Sequence, residues 1–202
     1  MTFFKKRLMI VTLLSLVVAY VVACSPRQHT DQMGAPAEQG EVVFDQLFID
    51  MMTPHHEGAV EMAKIAQQRA EHPEIKAMAD AIVAGQAEEI DQMKAWRQEW
   101  FGSSETPAMS EKPMLEVMPA MGSAAHSSDM QADVDALRNA PDPFDLAFID
   151  AMIPHHQSAI DAARMAQAQA TRPEIKQRAE NIIAAQQQEI DELKAWRQAW
   201  YP

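Results

Sequence analysis

The chain has 202 residues, a single cysteine, and 29 acidic against 17 basic residues, which give a formal net charge of −12. One cysteine excludes an internal disulfide, and the acidic charge makes nucleic acid and anionic lipid surfaces poor partners. Methionine is unusually frequent, with 15 copies against six glycines.

The N-terminus has the pattern of an export signal. Basic residues at positions 5–7 precede an apolar stretch over residues 8–23, which ends directly before Cys24. We predict a signal peptide over residues 1–23 and lipid attachment at Cys24, and removing the three basic residues leaves a net charge of −15. An uncleaved anchor is the alternative, although the apolar run is shorter than the roughly 20 residues that a membrane span needs. Both alternatives tether the protein in the cell envelope, facing the periplasm, and Ser25 favours the outer membrane where one exists.

An internal repeat with an offset of 100 residues accounts for most of the remaining chain. The sequence FIDMMTPHH at residues 48–56 returns as FIDAMIPHH at residues 148–156, and PEIK at 73–76 returns at 173–176. We therefore predict a lipidated flexible tether over residues 24–41, a first repeat over 42–101, a linker rich in Met, Pro and Ser over 102–140, and a second repeat over 141–202.

Each repeat is predicted to form a hairpin of two helices. Residues 42–71 and 74–101 are rich in good helix formers, and Pro73 suits the first turn of a new helix. Pro173 stands at the equivalent position of the second repeat. Two such hairpins joined by a long connection predict an all-α, four-helix bundle with halves related by a pseudo-twofold axis.

The histidines of each Pro-His-His triplet fall on the apolar face of the first helix. In a hairpin that turns near residue 72, His55 and His56 lie level with Glu89 on the second helix. Core faces rarely keep polar groups without partners, because burying them unpaired is costly. We predict one polar layer, with tryptophans closing one end of the bundle; the layer contains His55, His56, Gln86, Glu89, His155, His156, Gln186 and Glu189.

The composition of this layer suits a transition metal. Imidazole binds copper, zinc, iron and nickel, and thioether selects the soft ion Cu(I). Glu89 and Glu189 are either direct ligands or acceptors that orient the histidines, and the sequence leaves both alternatives open. A buried His-Glu-Gln network that only specifies packing is the structural alternative. A di-iron carboxylate centre is disfavoured, because neither second helix carries Glu-x-x-His.

The methionines divide into two groups. Those at helical spacing are predicted to fill the core, namely Met62, Met78, Met93 and Met165. The linker methionines have no packing period, and we predict an auxiliary Cu(I)-collecting segment formed by Met118, Met121 and His126. The alternative is that the methionines of this second group have accumulated in the linker by drift in composition, without a role in binding.

The motif Phe-Ile-Asp-x-Met-x-Pro-His-His, followed by Pro-Glu-Ile-Lys and Lys-Ala-Trp, resembles the family called domain of unknown function 305, whose members are ferritin-like. Some members are similar to periplasmic copper-binding proteins of copper resistance. The resemblance implies matching metal positions at His55, His56, His155, His156, Met52 and Met152. Met51 and Met62 become Ala151 and Ala162 in the second repeat, so the two halves need not bind equally.

These observations favour an exported, non-enzymatic lipoprotein that binds copper for sequestration or transfer in the cell envelope. The ion is Cu(I) or Cu(II), with another transition metal as the alternative. A structural or interaction lipoprotein and a metal-dependent redox protein are the competing hypotheses. The expected partners are a metal ion and the membrane, through the lipid anchor; monomer and dimer both stay open.

Overall fold

The computed structural model describes residues 44–106 and 130–202. Within these ranges the chain is helical and contains no β-strand, so the prediction of an all-α helical bundle is confirmed. The predicted signal peptide, the tether and most of the linker lie outside the described residues. The helices are α1 (Phe44–Arg69), α2 (Pro73–Phe101), α3 (Met130–Arg138), α4 (Phe144–Gln169) and α5 (Pro173–Trp200).

The two hairpins are α1 with α2 and α4 with α5. Each second helix begins at a proline, Pro73 or Pro173, whose missing N–H costs nothing in a first helical turn. Gly102 caps the C-terminal end of helix α2; it adopts φ +80° and donates its N–H to Gln98 O at 3.1 Å. Helices α1 and α4 continue through their internal prolines, one residue before each histidine pair.

Helix α3 lies within the segment predicted as a linker, and the sequence analysis did not anticipate it. At nine residues it is too short to establish a clear helical period. It buries Val134 and Leu137 against the bundle. Arg69 of α1 holds its C-terminal end, donating to the carbonyl oxygens of Arg138 and Ala140 at 2.8 Å each.

Two buried aspartates join the hairpins reciprocally. Asp45, at the start of α1, accepts the N–H of Thr171 in the α4–α5 turn at 2.9 Å. Asp145, at the start of α4, accepts the N–H of His72 in the α1–α2 turn at 2.9 Å. Each first helix therefore begins beside the turn of the other hairpin, and α1 and α4 run antiparallel.

The tryptophans lie at both ends of the bundle, which corrects the prediction that they close one end. At one end Trp100 stacks on Trp96 and lies under the guanidinium of Arg172, 4.0 Å from the ring centroid. At the other end His72 stacks on Trp200 at 3.8 Å. The antiparallel packing of the hairpins causes this arrangement, because it separates their open ends.

Two apolar clusters fill the bundle on either side of the histidines. One includes Phe48 and Met52 of α1 with Ala163 of α4, and the other includes Phe148 of α4 with Ala63 of α1. Both Pro-His-His triplets fall between these clusters along the chain, so the polar layer lies in the middle of the bundle. No helix in the two described ranges is long and apolar enough to cross a membrane.

Candidate metal centre

The four histidines of the Pro-His-His triplets converge where α1 meets α4. The ring centroids of His55 and His155 are 3.9 Å apart, across the pseudo-twofold axis. His56 and His156 each lie 6.2 Å from the preceding histidine of their own helix. All four are buried, with at most 8% of any residue exposed. The structure thus brings the predicted histidine layer together.

A hydroxyl group fixes the ring of His55. Its Nε2 lies 2.7 Å from Ser158 Oγ, and that hydroxyl donates to the carbonyl oxygen of His155, also at 2.7 Å. Ser158 Oγ therefore accepts the Nε2–H of His55. The lone pair of His55 then resides on Nδ1, which is buried and has no hydrogen-bond partner.

A carboxylate fixes the ring of His56 in the same way. Its Nε2 lies 2.7 Å from Glu89 Oε2, while Glu89 Oε1 accepts a bond from Arg178 at 2.8 Å. Burial would raise the pKa of Glu89, but the hydrogen bonds and charges of His56 and Arg178 outweigh burial and lower it. Both carboxylate oxygens are engaged. This geometry suits an acceptor behind the ring, with Nδ1 of His56 left open, better than a direct ligand.

The second repeat is less fully bonded. His156 Nε2 lies 2.8 Å from Glu189 Oε2, but the two groups are not aligned for a hydrogen bond. Neither ring nitrogen of His155 has a hydrogen-bond partner. The two halves of the layer are therefore alike in composition and different in bonding.

Unpartnered polar atoms are concentrated in this layer. A network that only specified packing would satisfy its members, since unpaired buried groups are costly. Five buried ring nitrogens have neither a hydrogen-bond nor an ion-pair partner in the described residues, which instead fits a site prepared for a ligand. These nitrogens are Nδ1 of His55, His56 and His156 and both nitrogens of His155. The amide oxygens Oε1 of Gln86 and Gln186 are also buried without a hydrogen-bond partner.

Burial keeps the central histidines neutral. It lowers the pKa of His155 to about 3, with further lowering from the charges of His156 and His56. It also lowers the pKa of His55 well below its ordinary value, with further lowering from the neighbouring histidines, His155 first. Neutral imidazole is the form that binds a metal, so these rings do not have to release a proton at neutral pH.

The donor set restricts which ion fits. Residues 44–106 and 130–202 contain no group of three or more His, Cys, Asp or Glu side chains placed to hold a metal. A four-ligand zinc site is therefore poorly supported. A few imidazoles together with a thioether, which suits Cu(I), fit the described residues better.

The predicted methionine positions divide by burial. Met52 and Met152 are fully buried within the apolar clusters, one turn before the histidine pairs. Of the methionines predicted to fill the core, Met62, Met78 and Met93 are buried and Met165 is partly buried. The remaining predicted positions, Cys24, Met118, Met121 and His126, lie outside the described residues.

Three residues beside the histidines were missed by the sequence analysis, namely Ser158, Arg178 and Met130. The repeat itself held a signal for two of them: Ser158 corresponds to Gly58, and Arg178 corresponds to Met78. Positions that differ between the two copies mark where the halves are not equivalent. Met130 has no counterpart in the repeat, so this comparison could not find it.

Comparison with known proteins gives a family and a common fold. The sequence model of a family described as "Domain of unknown function (DUF305)" matches residues 45–197. The Cu(II)-bound form of CopM is 42% identical, with a TM-score of 0.64, covering 78% of this chain and 97% of that chain. Its Ag-bound form is 40% identical, with a TM-score of 0.63 and coverage of 78% and 98%. A DUF305 fragment from Deinococcus radiodurans, at 24% identity and TM-score 0.60 over 76% and 95% of the chains, shares the fold. No curated protein matches significantly.

Proposed function

This chain belongs to the DUF305 family, and we propose on that premise that it binds copper as cargo, for sequestration or transfer in the cell envelope. The observation that carries the proposal is the set of five buried imidazole nitrogens without a hydrogen-bond or ion-pair partner around the contact of His55 with His155. CopM, about 40% identical, has been crystallised with Cu(I), Cu(II) and Ag, which supports copper as the ion.

The proposed ligands come from the four layer histidines, no three of which are placed to hold one ion together. His55 and His155 occupy the centre, and Glu89 orients His56 from behind. We retain Glu189, Met52 and Met152 as candidate contributors because they lie in or beside the same layer. Met118, Met121 and His126 are retained as an auxiliary collecting segment on their sequence alone.

The proposed location rests on the N-terminal sequence. The basic and apolar stretch that ends at Cys24 supports export and lipid anchoring. The net charge of −15 for the processed chain supports attraction of cations. An envelope location also fits a protein that carries copper as cargo, because the protein then meets the ion outside the cytoplasm.

Copper titration of the purified full chain tests the proposal. Cu(I) under reducing conditions and Cu(II) under oxidising conditions are offered in competition with chelators. We expect tight, stoichiometric binding that is lost when His55, His56, His155 and His156 are all replaced by Gln, with helical content kept. His72→Gln is the control, because His72 lies at the end of the bundle against Trp200.

Two results would overturn the proposal: a wild-type chain that retains no copper at micromolar concentration, or a fourfold variant that still binds it. A fourfold variant that unfolds would point to the packing network instead. In that case the single variants His55→Gln and His155→Gln decide, because a copper affinity equal to that of His72→Gln in both would exclude the layer as the site.

A further inference from the structure

One pair of equivalent positions breaks the symmetry of the histidine layer. In the second repeat Ser158 Oγ fills the space beside His55 Nε2, at 2.7 Å. The equivalent residue of the first repeat is Gly58, which has no side chain to offer. A Cβ added at Gly58 would lie 3.6 Å from His155 Nε2. His155 is the layer histidine whose two ring nitrogens have neither a hydrogen-bond nor an ion-pair partner.

A thioether occupies the space that Gly58 leaves open. Met130 Sδ lies 3.2 Å from the point where that Cβ would be, and its own Cβ lies 3.5 Å from it. The sulfur and His155 Nε2 therefore border the same small space. A side chain at position 58 would displace the sulfur, and a serine there would offer His155 the hydroxyl that Ser158 offers His55.

Helix α3, whose first residue is Met130, is held against the bundle by its middle and its C-terminal end. Val134 and Leu137 of α3 are buried, at 4% and 3% exposure. The carbonyl oxygens at the far end of α3 accept bonds from Arg69 of α1. These contacts fix α3, which belongs to neither copy of the repeat. Its first residue, Met130, lies beside His155, the layer histidine without a hydrogen-bond or ion-pair partner.

We propose that Met130 Sδ and His155 Nε2 are two ligands of one Cu(I) ion, and that this thioether makes the site selective for the soft, reduced ion. The proposal rests on the proposed function, of which it specifies one site. Thioether selects Cu(I), whereas Cu(II) prefers nitrogen and oxygen donors in a tetragonal arrangement. The two halves of the bundle thus differ in function, because Ser158 fills the corresponding space beside His55.

The variant Met130→Leu, made in the full chain, tests the proposal. Leucine keeps the apolar volume and removes the sulfur. We expect Cu(I) affinity to fall about tenfold or more, because even the loss of a group behind a ligand costs roughly 10–100-fold. Cu(II) affinity should change much less. Met165→Leu is the matched control, since Met165 is also partly buried, on α4, ten residues beyond His155.

Two further measurements separate the sulfur from general packing. X-ray absorption of the chain loaded with one equivalent of Cu(I) should show copper–sulfur scattering that weakens in Met130→Leu and not in Met165→Leu. Gly58→Ser should lower Cu(I) affinity as well, because it fills the space between the two donors. Urea unfolding establishes that each variant is folded.

The outcomes distinguish this proposal from the proposed function. If Met130→Leu equals Met165→Leu in Cu(I) affinity and in sulfur scattering, Met130 is not a ligand, while copper binding by the histidines stands. If Met130→Leu weakens Cu(I) and Cu(II) equally, the thioether is not the source of selectivity. If the wild-type chain binds no copper, the proposed function fails first.

Discussion

His55 and His155 are kept neutral at the contact between α1 and α4. Burial and neighbouring histidines lower the pKa of His155 to about 3 and that of His55 well below its ordinary value. In the unfolded chain both side chains would take up protons near pH 6.5. The folded protein therefore excludes protons that the unfolded chain accepts, and this links stability to pH.

The metal-free protein is expected to lose stability as the pH falls below about 6.5. Because these folded-state pKa values are lowered, the unfolded chain binds more protons, and the free energy of unfolding decreases down to the folded-state value near 3 for His155. Urea unfolding between about pH 7.5 and 5.5, where free carboxylates stay ionised, measures the effect. The double variant His55→Gln/His155→Gln should show a shallower dependence; an unchanged slope contradicts the prediction.

Glu89 acts, in our interpretation, by orienting His56 and not by binding the ion. Glu89→Gln should therefore weaken copper binding by about 10–100-fold without abolishing it, the usual effect of removing a group behind a ligand. Chelator competition measures the affinity. Glu88→Gln is the control, because Glu88 is exposed on the neighbouring position of α2. Equal affinities for the two variants would show that Glu89 has no such role.

At the scale of the elements, each hairpin provides an aspartate whose carboxylate accepts backbone N–H groups in the turn of the other hairpin. The turn between α4 and α5 has backbone N–H groups without helical partners, and Asp45 accepts those of Thr171 and Arg172. Asp145 does the same for Glu71 and His72. Docking of α1 on α4 is thus specified by polar contacts at both ends as well as by the alanine-rich apolar seam.

Asp45→Ala should lower the free energy of unfolding by about 1–3 kcal/mol, because it leaves buried N–H groups without an acceptor. Urea unfolding gives the value. Asp91→Ala is the matched control, since Asp91 is exposed on α2, and it should change stability little. A loss at Asp45 no larger than at Asp91 would mean that the reciprocal caps do not hold the hairpins together.

At the scale of the whole molecule, duplication has given two halves with different environments. Asp50 and Arg97 form an ion pair with only 7% of each side chain exposed, and Arg97 also donates to Ser103 O at 2.8 Å. The equivalent pair, Asp150 with Arg197 at 2.6 Å, is about half exposed. The same two residues are therefore expected to contribute differently to stability in the two repeats.

The comparison of Asp50→Ala with Asp150→Ala tests this asymmetry. Removing Asp50 leaves the guanidinium of Arg97 buried without its carboxylate, which costs about 3–5 kcal/mol. Removing Asp150 leaves Arg197 in water, where solvent replaces the partner, so the loss of stability should be clearly smaller. Thermal or urea unfolding of both variants measures the difference, and equal losses would contradict the structural asymmetry.

The sequence by itself determined the duplication, the helical hairpins and the residues that meet within each hairpin. The 3.6-residue period and the turns near Pro73 and Pro173 set which residues of paired helices lie level, which is why the contact of His56 with Glu89 follows from spacing. The all-α bundle follows from the same local signals. These features rest on interactions between residues that are close along the chain or related by the repeat.

Only the tertiary structure decided how the hairpins dock and what surrounds the histidines. The contact of His55 with His155, the caps from Asp45 and Asp145, and the position of Met130 join residues 25 to 126 positions apart. Such contacts depend on how whole helix faces fit together. The helical period of the sequence does not predict that fit. The sequence therefore indicates which donors the layer contains, and the docking of α1, α3 and α4 determines which of them share a site.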